Sequence, residues 1–271
     1  MVTPDSAGER AVAQRLREAG SVFAEDEARL LLDAAGDERE LDSLVQRRTD
    51  GTPLEHLLGW VEFAGMRLSV APGVFVPRKR TELLATTALH PPARPARRSG
   101  VVVELCCGAA AVGAALATEL DPLELHAADI DPNAVRCARA NLPAHAHVHE
   151  GDLDAPLPDS LRGRVDVLVA NAPYVPSGAI ASMPPEAREH EPLVALDGGD
   201  DGVDVQRRVI ALAPRWLAPG GDFLIESADH QAHLLARAVA AVGLEPEIVR
   251  SEEIEATAVL GHRPDPTART R

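Results

Sequence analysis

Asn171-Ala172-Pro173-Tyr174 follows directly on the apolar run Val165-Asp166-Val167-Leu168-Val169-Ala170, and these four residues together can hold a planar –NH2 group. The Asn171 side chain offers a carbonyl oxygen, Ala172 a backbone carbonyl and Tyr174 a flat ring, while Pro173 stiffens the turn between them. Two acceptors would fix the two N–H bonds of an amide or exocyclic amine, and the ring would cover its face. Asn and Pro also close many ordinary strands, so the tetrapeptide gains meaning only from its surroundings.

Three acids supply that context. Val101-Val102-Val103-Glu104-Leu105 runs into Cys106-Cys107-Gly108-Ala109-Ala110-Ala111-Val112-Gly113, small residues that let a ligand approach the backbone where a helix starts. The dinucleotide pattern G-x-G-x-x-G is not met, because Cys106, Gly108 and Ala111 stand at its glycine positions. Glu104 would repel a phosphate and suits a cationic group. Asp129, after Ala127-Ala128, is placed to accept both hydroxyls of a ribose, and Asp131 to cap the next helix. Asp152, in Glu150-Gly151-Asp152-Leu153, suits an adenine amino group. Each acid alone reads as a cap or turn residue. Three at successive strand tips read as a nucleoside site.

The elements that must carry these groups follow from the periodicity. Beyond residue 100 the pattern alternates: strands at 101–105, 123–128, 146–149, 165–170 and 223–225, helices at 109–120, 133–142, 203–217 and 230–242, then β segments near 245–250 and 256–260. Repeated strand–helix units predict an α/β, doubly wound and mostly parallel sheet, whose ligands bind beyond the strands' carboxyl ends. Residues 171–202 read as a long loop. The first fifty residues predict short helices, with capping-box spacing from Ser6 to Glu9, apolar positions at Val12 and Leu16, and Gly20 as a stop. Trp60–Phe63 and Met66–Val70 around Ala64-Gly65 predict a β-hairpin, and 81–89 a helix.

The chain has 271 residues, 45% of them hydrophobic, and a formal charge of −15. That charge opposes nucleic-acid binding, which draws on basic surface to displace counterions. No apolar run approaches membrane-spanning length, and the start of the chain, with Asp5, Glu9 and Arg10, lacks a charged-then-apolar signal, so a cytoplasmic location is expected. Cys106, Cys107 and Cys137 read as small buried hydrophobes, with neither disulfide framework nor metal site expected. Arg94, Arg97 and Arg98 sit in a Pro-rich stretch that reads as a solvated linker. His126, His147, His149 and Trp216 read as packing residues, and His190 as a solvated loop histidine.

Nearly the whole chain resembles the class I S-adenosylmethionine-dependent methyltransferases, and within them the HemK/PrmC-type protein-(glutamine-N5) methyltransferases of peptide chain release factors. The resemblance runs through Gly51-Thr52-Pro53-Leu54-Glu55-His56-Leu57-Leu58-Gly59, Phe63, Val74-Phe75-Val76-Pro77-Arg78, Glu104–Gly108, Asp129, the 171–174 tetrapeptide, and Glu191-Pro192-Leu193-Val194-Ala195-Leu196-Asp197-Gly198-Gly199 with Gly202. It implies a Rossmann-like seven-stranded sheet with an antiparallel last strand, and a division into a helical bundle (1–50), a hairpin linker (51–78) and a catalytic domain (79–271). It implies S-adenosylmethionine held by Arg78, Thr81, Glu104, Cys106, Gly108, Ala110, Asp129, Ile130, Asp152, Leu153 and Asn171. Asn171, Ala172, Pro173 and Tyr174 become catalytic, with Glu191 and Pro192 joining Asn171 and Tyr174 on the substrate. A release factor partner and a monomer are expected.

Three departures from the family pattern stand out. Ala172 replaces the first proline of Asn-Pro-Pro-Tyr, which loosens the turn but keeps the backbone acceptor. Cys106, Gly108 and Ala110 replace a Gly-x-Gly-x-Gly loop, and Arg78-Lys79-Arg80-Thr81 replaces Arg-Pro-Glu-Thr. Two alternatives remain at this level. An N6-adenine or N4-cytosine nucleic-acid methyltransferase would use a similar tetrapeptide, although acidic charge and 3% aromatics argue against base flipping. A non-catalytic interaction module would follow if the altered loop had lost the cofactor.

Overall fold

The computed structural model describes residues 7–266; Asp5, and Ser6 with the capping box built on it, lie outside the described residues. Helices α1 (Ala7–Glu18), α2 (Ala24–Ala34) and α3 (Glu38–Thr49) come first. Each is short, and their apolar faces meet in a small core that includes Leu16, Leu31 and Val45. A further helix, α4 (Leu54–Leu58), forms in the stretch expected to lead straight into the hairpin. Pro53 starts it, left-handed Gly59 ends it, and Leu54, Leu57 and Leu58 pack on the same core.

The hairpin then pairs β1 (Trp60–Phe63) with β2 (Met66–Ser69) across Ala64-Gly65, both at positive φ as a primed turn requires. Its Val61, Phe63 and Leu68 belong to the core of the main sheet. Asn141 holds its backbone by accepting from Ser69 N and donating to Ser69 O. The hairpin thus braces the sheet.

After α5 (Glu82–Leu89), the main body contains β3 (Gly100–Leu105), α6 (Ala111–Glu119), β4 (Leu123–Asp129), α7 (Pro132–Asn141), β5 (His147–Glu150) and β6 (Val165–Ala170). Next come α8 (Pro185–His190), α9 (Leu193–Leu196), α10 (Asp204–Trp216), β7 (Leu217–Glu226), α11 (Asp229–Ala241), β8 (Glu245–Ser251) and β9 (Ala256–His262). The sheet order is β5-β4-β3-β6-β7-β9-β8; β5 to β7 run parallel and β9 is antiparallel to both its neighbours. This is the expected α/β methyltransferase sheet with an antiparallel last strand. Alternation puts Val167 and Val169 in one apolar layer with α5, α6 and α7, and Leu168 and Ala170 in the other with α10 and α11. Trp216 is buried there, donating its indole N–H to Asp154 at 2.9 Å.

Two expectations are corrected. The 171–202 stretch is not one long loop: it holds a 3-10 turn (Ser177–Ser182), α8 and α9, with Pro176, Pro184 and Pro192 at their amino ends. The stretch with Arg94 and Arg97 is no free linker either, because both guanidiniums pair with Asp222, which is 1% exposed on β7 and also meets His262. A buried carboxylate needs such partners. No helix among the described residues is long and apolar enough to cross a membrane.

Candidate active site

The sheet reverses its winding between β3 and β6, and a cavity of about 240 Å³ opens there beyond the strands' carboxyl ends. Its wall brings together Arg78, Thr81, Glu104, Cys106, Gly108, Asp129, Ile130, Asp152, Leu153, Asn171, Ala172, Pro173, Tyr174, Glu191 and Pro192. Ala110 stands apart: it is fully buried and caps α6 from behind the wall.

One end of the cavity is acidic. Glu104, 4% exposed, accepts the Gly113 N–H at 2.7 Å, and a Cβ at Gly113 would lie 2.6 Å from the same carboxyl oxygen. Only glycine permits that approach. Burial pushes the Glu104 carboxyl up to about 8, against backbone hydrogen bonds that pull it down. Asp129 accepts the Gly108 N–H at 2.8 Å and the Asp131 N–H at 2.9 Å, which ties the β3–α6 loop to the tip of β4. Desolvation still raises its carboxyl above the ordinary range. Asp131 caps α7 through Asn133 N–H, as expected. Asp152 is half exposed and pairs with Arg208 at 2.6 Å, so an adenine amino group would share it with that guanidinium.

Between the acids lies the altered loop. Cys106, Gly108 and Ala110 have φ of 51, 54 and 56°, so all three adopt the left-handed conformation for which glycine is the ordinary choice. Burial raises both Cys106 and Cys107 thiols, which keeps them protonated and excludes a thiolate nucleophile.

The other end is the clamp. Asn171 donates from Nδ2 to the Thr81 hydroxyl at 3.3 Å, and its Oδ1 has no partner among the described residues. Thr81 donates to Glu226 at 2.5 Å. The Tyr174 hydroxyl donates to Glu226 at 3.2 Å and accepts from Arg80 at 2.7 Å, while Arg80 Nε reaches Glu226 at 3.1 Å. Burial and Glu226 push the Tyr174 phenol up to about 12, so it stays neutral. The Tyr174 carbonyl accepts from Gln231 at 3.2 Å, and Gly202 packs so close that a Cβ there would sit 2.6 Å from the same carbonyl oxygen. Glu191 lies on the wall with its side chain only 1% exposed; it accepts from Arg78 at 2.6 Å and from Val76 N–H at 3.1 Å. Arg78 and Glu191 therefore take each other as first partners and strap α8–α9 to the segment after the hairpin. Sequence reasoning missed Glu226. Its signal was an acid at the tip of a parallel strand, the same signal that picked out Glu104 and Asp129. Among the described residues no cluster of His, Cys, Asp or Glu could hold a metal ion.

Residues 65–183 match the family model for the methyltransferase small domain. The release factor glutamine methyltransferase of Thermosynechococcus vestitus is 34% identical over 222 residues, which cover 79% of this chain and 74% of that protein. The chain belongs to the release factor glutamine methyltransferase family. The family member from Mycolicibacterium smegmatis is 40% identical over 191 residues, 69% of this chain and 66% of that protein. Against such relatives the chain spans about two thirds of their length. A methyltransferase structure from Pyrococcus furiosus shares the fold at a TM-score of 0.54 and 15% identity, over 74% of this chain and 90% of that one.

Proposed function

We propose that this protein transfers a methyl group from S-adenosylmethionine to the side-chain amide nitrogen of a glutamine in a peptide chain release factor. The observation that carries the reading is Asn171, a residue of the cavity wall beside Ala172 and Tyr174, whose amide is held by its nitrogen so that Oδ1 is left uncommitted. Relatives named for this reaction support the choice of substrate.

The residues at the acidic end fit the cofactor. Glu104, buried and held partly protonated, gains from a nearby positive group; Asp129 suits ribose hydroxyls, and Asp152 and Leu153 an adenine. Bound there, S-adenosylmethionine supplies an electrophilic methyl on a positively charged sulfur. The left-handed conformation persists at Cys106 and Ala110 without glycine, which favours a retained cofactor loop over a degenerate one.

The chain's own residues then address the acceptor. An amide nitrogen is a poor nucleophile because its lone pair is delocalised into the carbonyl. Asn171 Oδ1 and the Ala172 carbonyl would take its two N–H bonds, and the Tyr174 ring would cover its face and exclude water. Held this way the nitrogen is aimed at the methyl, and no strong base is required. The nitrogen becomes acidic once the new C–N bond forms, and its proton leaves then. The charge of −15 weighs against a nucleic-acid amine as the acceptor.

Incubation with labelled S-adenosylmethionine and a release factor tests the reading. Label on a glutamine is expected, and Asn171→Ala should lower transfer by roughly 10²- to 10³-fold while sparing cofactor binding. Wild-type protein that binds cofactor yet labels no glutamine would sink the proposal.

A further inference from the structure

Glu226, at the carboxyl end of β7, touches neither the acceptor amide nor the acidic end of the cavity. It is 2% exposed, and three side chains converge on its carboxyl group: Thr81, Tyr174 and Arg80. Its backbone carbonyl is held in turn by the buried Gln206 at 2.8 Å. A buried carboxylate with this many donors is rigid, and its effect passes to whatever those donors touch.

We propose that Glu226 is a positioning residue that dictates, through the Thr81 hydroxyl, which face of the Asn171 amide looks into the cavity. This deepens the glutamine-clamp reading and rests on it. The reasoning is proton counting. A threonine hydroxyl has one proton and otherwise only lone pairs. Beside the Arg80 guanidinium, Glu226 acts as an acceptor, so the 2.5 Å contact takes the Thr81 proton. Thr81 Oγ1 can then only accept, and its neighbour Asn171 must present Nδ2 to it, as it does at 3.3 Å. Turning the amide over would set Oδ1 against a lone pair and point two donors at the substrate amide, whose N–H bonds need acceptors. The carboxylate on β7 thereby selects the acceptor face of a side chain on β6. The same group holds the Tyr174 hydroxyl at 3.2 Å, and so fixes the ring that would cover the substrate.

Thr81→Val keeps the shape of residue 81 and removes its hydroxyl. With a release factor substrate, kcat should fall by roughly 3- to 10-fold, the usual effect of losing a hydrogen bond between neutral groups, while calorimetry gives an S-adenosylmethionine Kd that changes far less than kcat. Thr81→Ser, which retains the hydroxyl, should recover most of that loss. Glu226→Gln offers an N–H to Thr81, frees the hydroxyl proton to point at Asn171, and should lower kcat at least as much. The double variant should be no slower than Glu226→Gln alone, because both changes cut one chain of contacts. Thermal melts establish that each variant is folded; should Glu226→Gln not fold, the Val and Ser pair decides alone.

Four results overturn the role: undiminished kcat in Thr81→Val, a Ser variant as slow as the Val variant, losses that multiply in the double variant, or a cofactor Kd that weakens in step with kcat. The last would place Thr81 directly on the cofactor. Wild-type protein that methylates no glutamine overturns the function itself. Active wild type with an unaffected Thr81→Val overturns only the positioning.

Discussion

Replacing Glu104 with glutamine removes the one charge that burial at the acidic end opposes most directly, while a Gln carbonyl can still accept the Gly113 N–H held at 2.7 Å. The folded carboxyl stands at about 8, against an ordinary 4.5. That gap corresponds to about 5 kcal/mol between the charged and neutral forms. Folding therefore takes up a proton: the group costs nothing below the unfolded value and weakens the fold progressively as pH rises from 4.5 towards 8. Between pH 5.5 and pH 8 the linkage integral gives a loss of about 3 kcal/mol from this residue alone. Urea unfolding of wild type and Glu104→Gln at these two pH values isolates it, since every other titrating group is common to both chains. The variant should gain about 3 kcal/mol on wild type across that interval. S-adenosylmethionine should also bind wild type more tightly as pH rises towards 8, and bind the variant with no such trend. Parallel stability curves for the two proteins would show that Glu104 ionises freely, and the reasoning from burial would fail.

Other outcomes follow from local geometry. Ala110 is held at φ 56° whereas Ala109, equally buried, is not at positive φ, so Ala110→Gly should cost about 1–2 kcal/mol less than Ala109→Gly in chemical denaturation. His126 stacks on His147 at 4.6 Å and on His149 at 5.3 Å, and burial lowers both His126 and His149. Folding sheds protons there, so stability is intact above pH ~6.5 and declines as pH falls below it; His149→Gln should flatten that decline in urea midpoints taken from pH 7.5 to 5.5. Gly202→Ala should impair transfer as well as stability, because its Cβ would meet the Tyr174 carbonyl at 2.6 Å. Gly243→Ala, also at positive φ but with open space around it, should cost only the backbone strain of about 1–2 kcal/mol and leave turnover unchanged.

Most of the sheet was legible because its central strands carry their own signal: largely apolar runs such as Val165–Ala170, broken only by Asp166, can be read without knowing their neighbours. Asp129 and the clamp were legible for a related reason, since each lies at or just past the end of such a run, whereas Asp152 follows the polar β5 and was legible only as the third acid of a series at strand tips. What escaped was long-range. Asp222 draws in Arg94 and Arg97 from more than a hundred residues away, and nothing local to the Pro/Arg stretch announces a buried carboxylate. Glu226 likewise reveals its importance only when Arg80, Thr81 and Tyr174 surround it. β7 begins at Leu217 rather than Phe223 because Pro219, Gly220 and Gly221 hide its first half from a reading based on apolar runs. The helices α4, α8 and α9 are four to six residues long, too short for a helical period to appear, and are set by prolines and by packing.

Two of the three departures from the family pattern share a physical logic. Ala172 lacks the ring that would stiffen the turn, yet its side chain is 1% exposed and the backbone beyond it is held from outside. Val175 donates to Leu196 at 3.0 Å and accepts from Gly198 at 2.8 Å, Ser177 donates to Gly199 at 2.9 Å, and Gln231 grips the Tyr174 carbonyl. The α9 segment, with its Gly198-Gly199 and Gly202, thus supplies the rigidity that a proline would have supplied locally. At the β3–α6 loop, Asp129 does the same for Cys106 and Ala110, pinning Gly108 between them so that all three residues keep left-handed backbone. At Cys106 and Ala110 the surroundings impose a conformation that those residues themselves do not prefer. The strain retained at Cys106 and Ala110 lowers stability, so its mark belongs in unfolding curves.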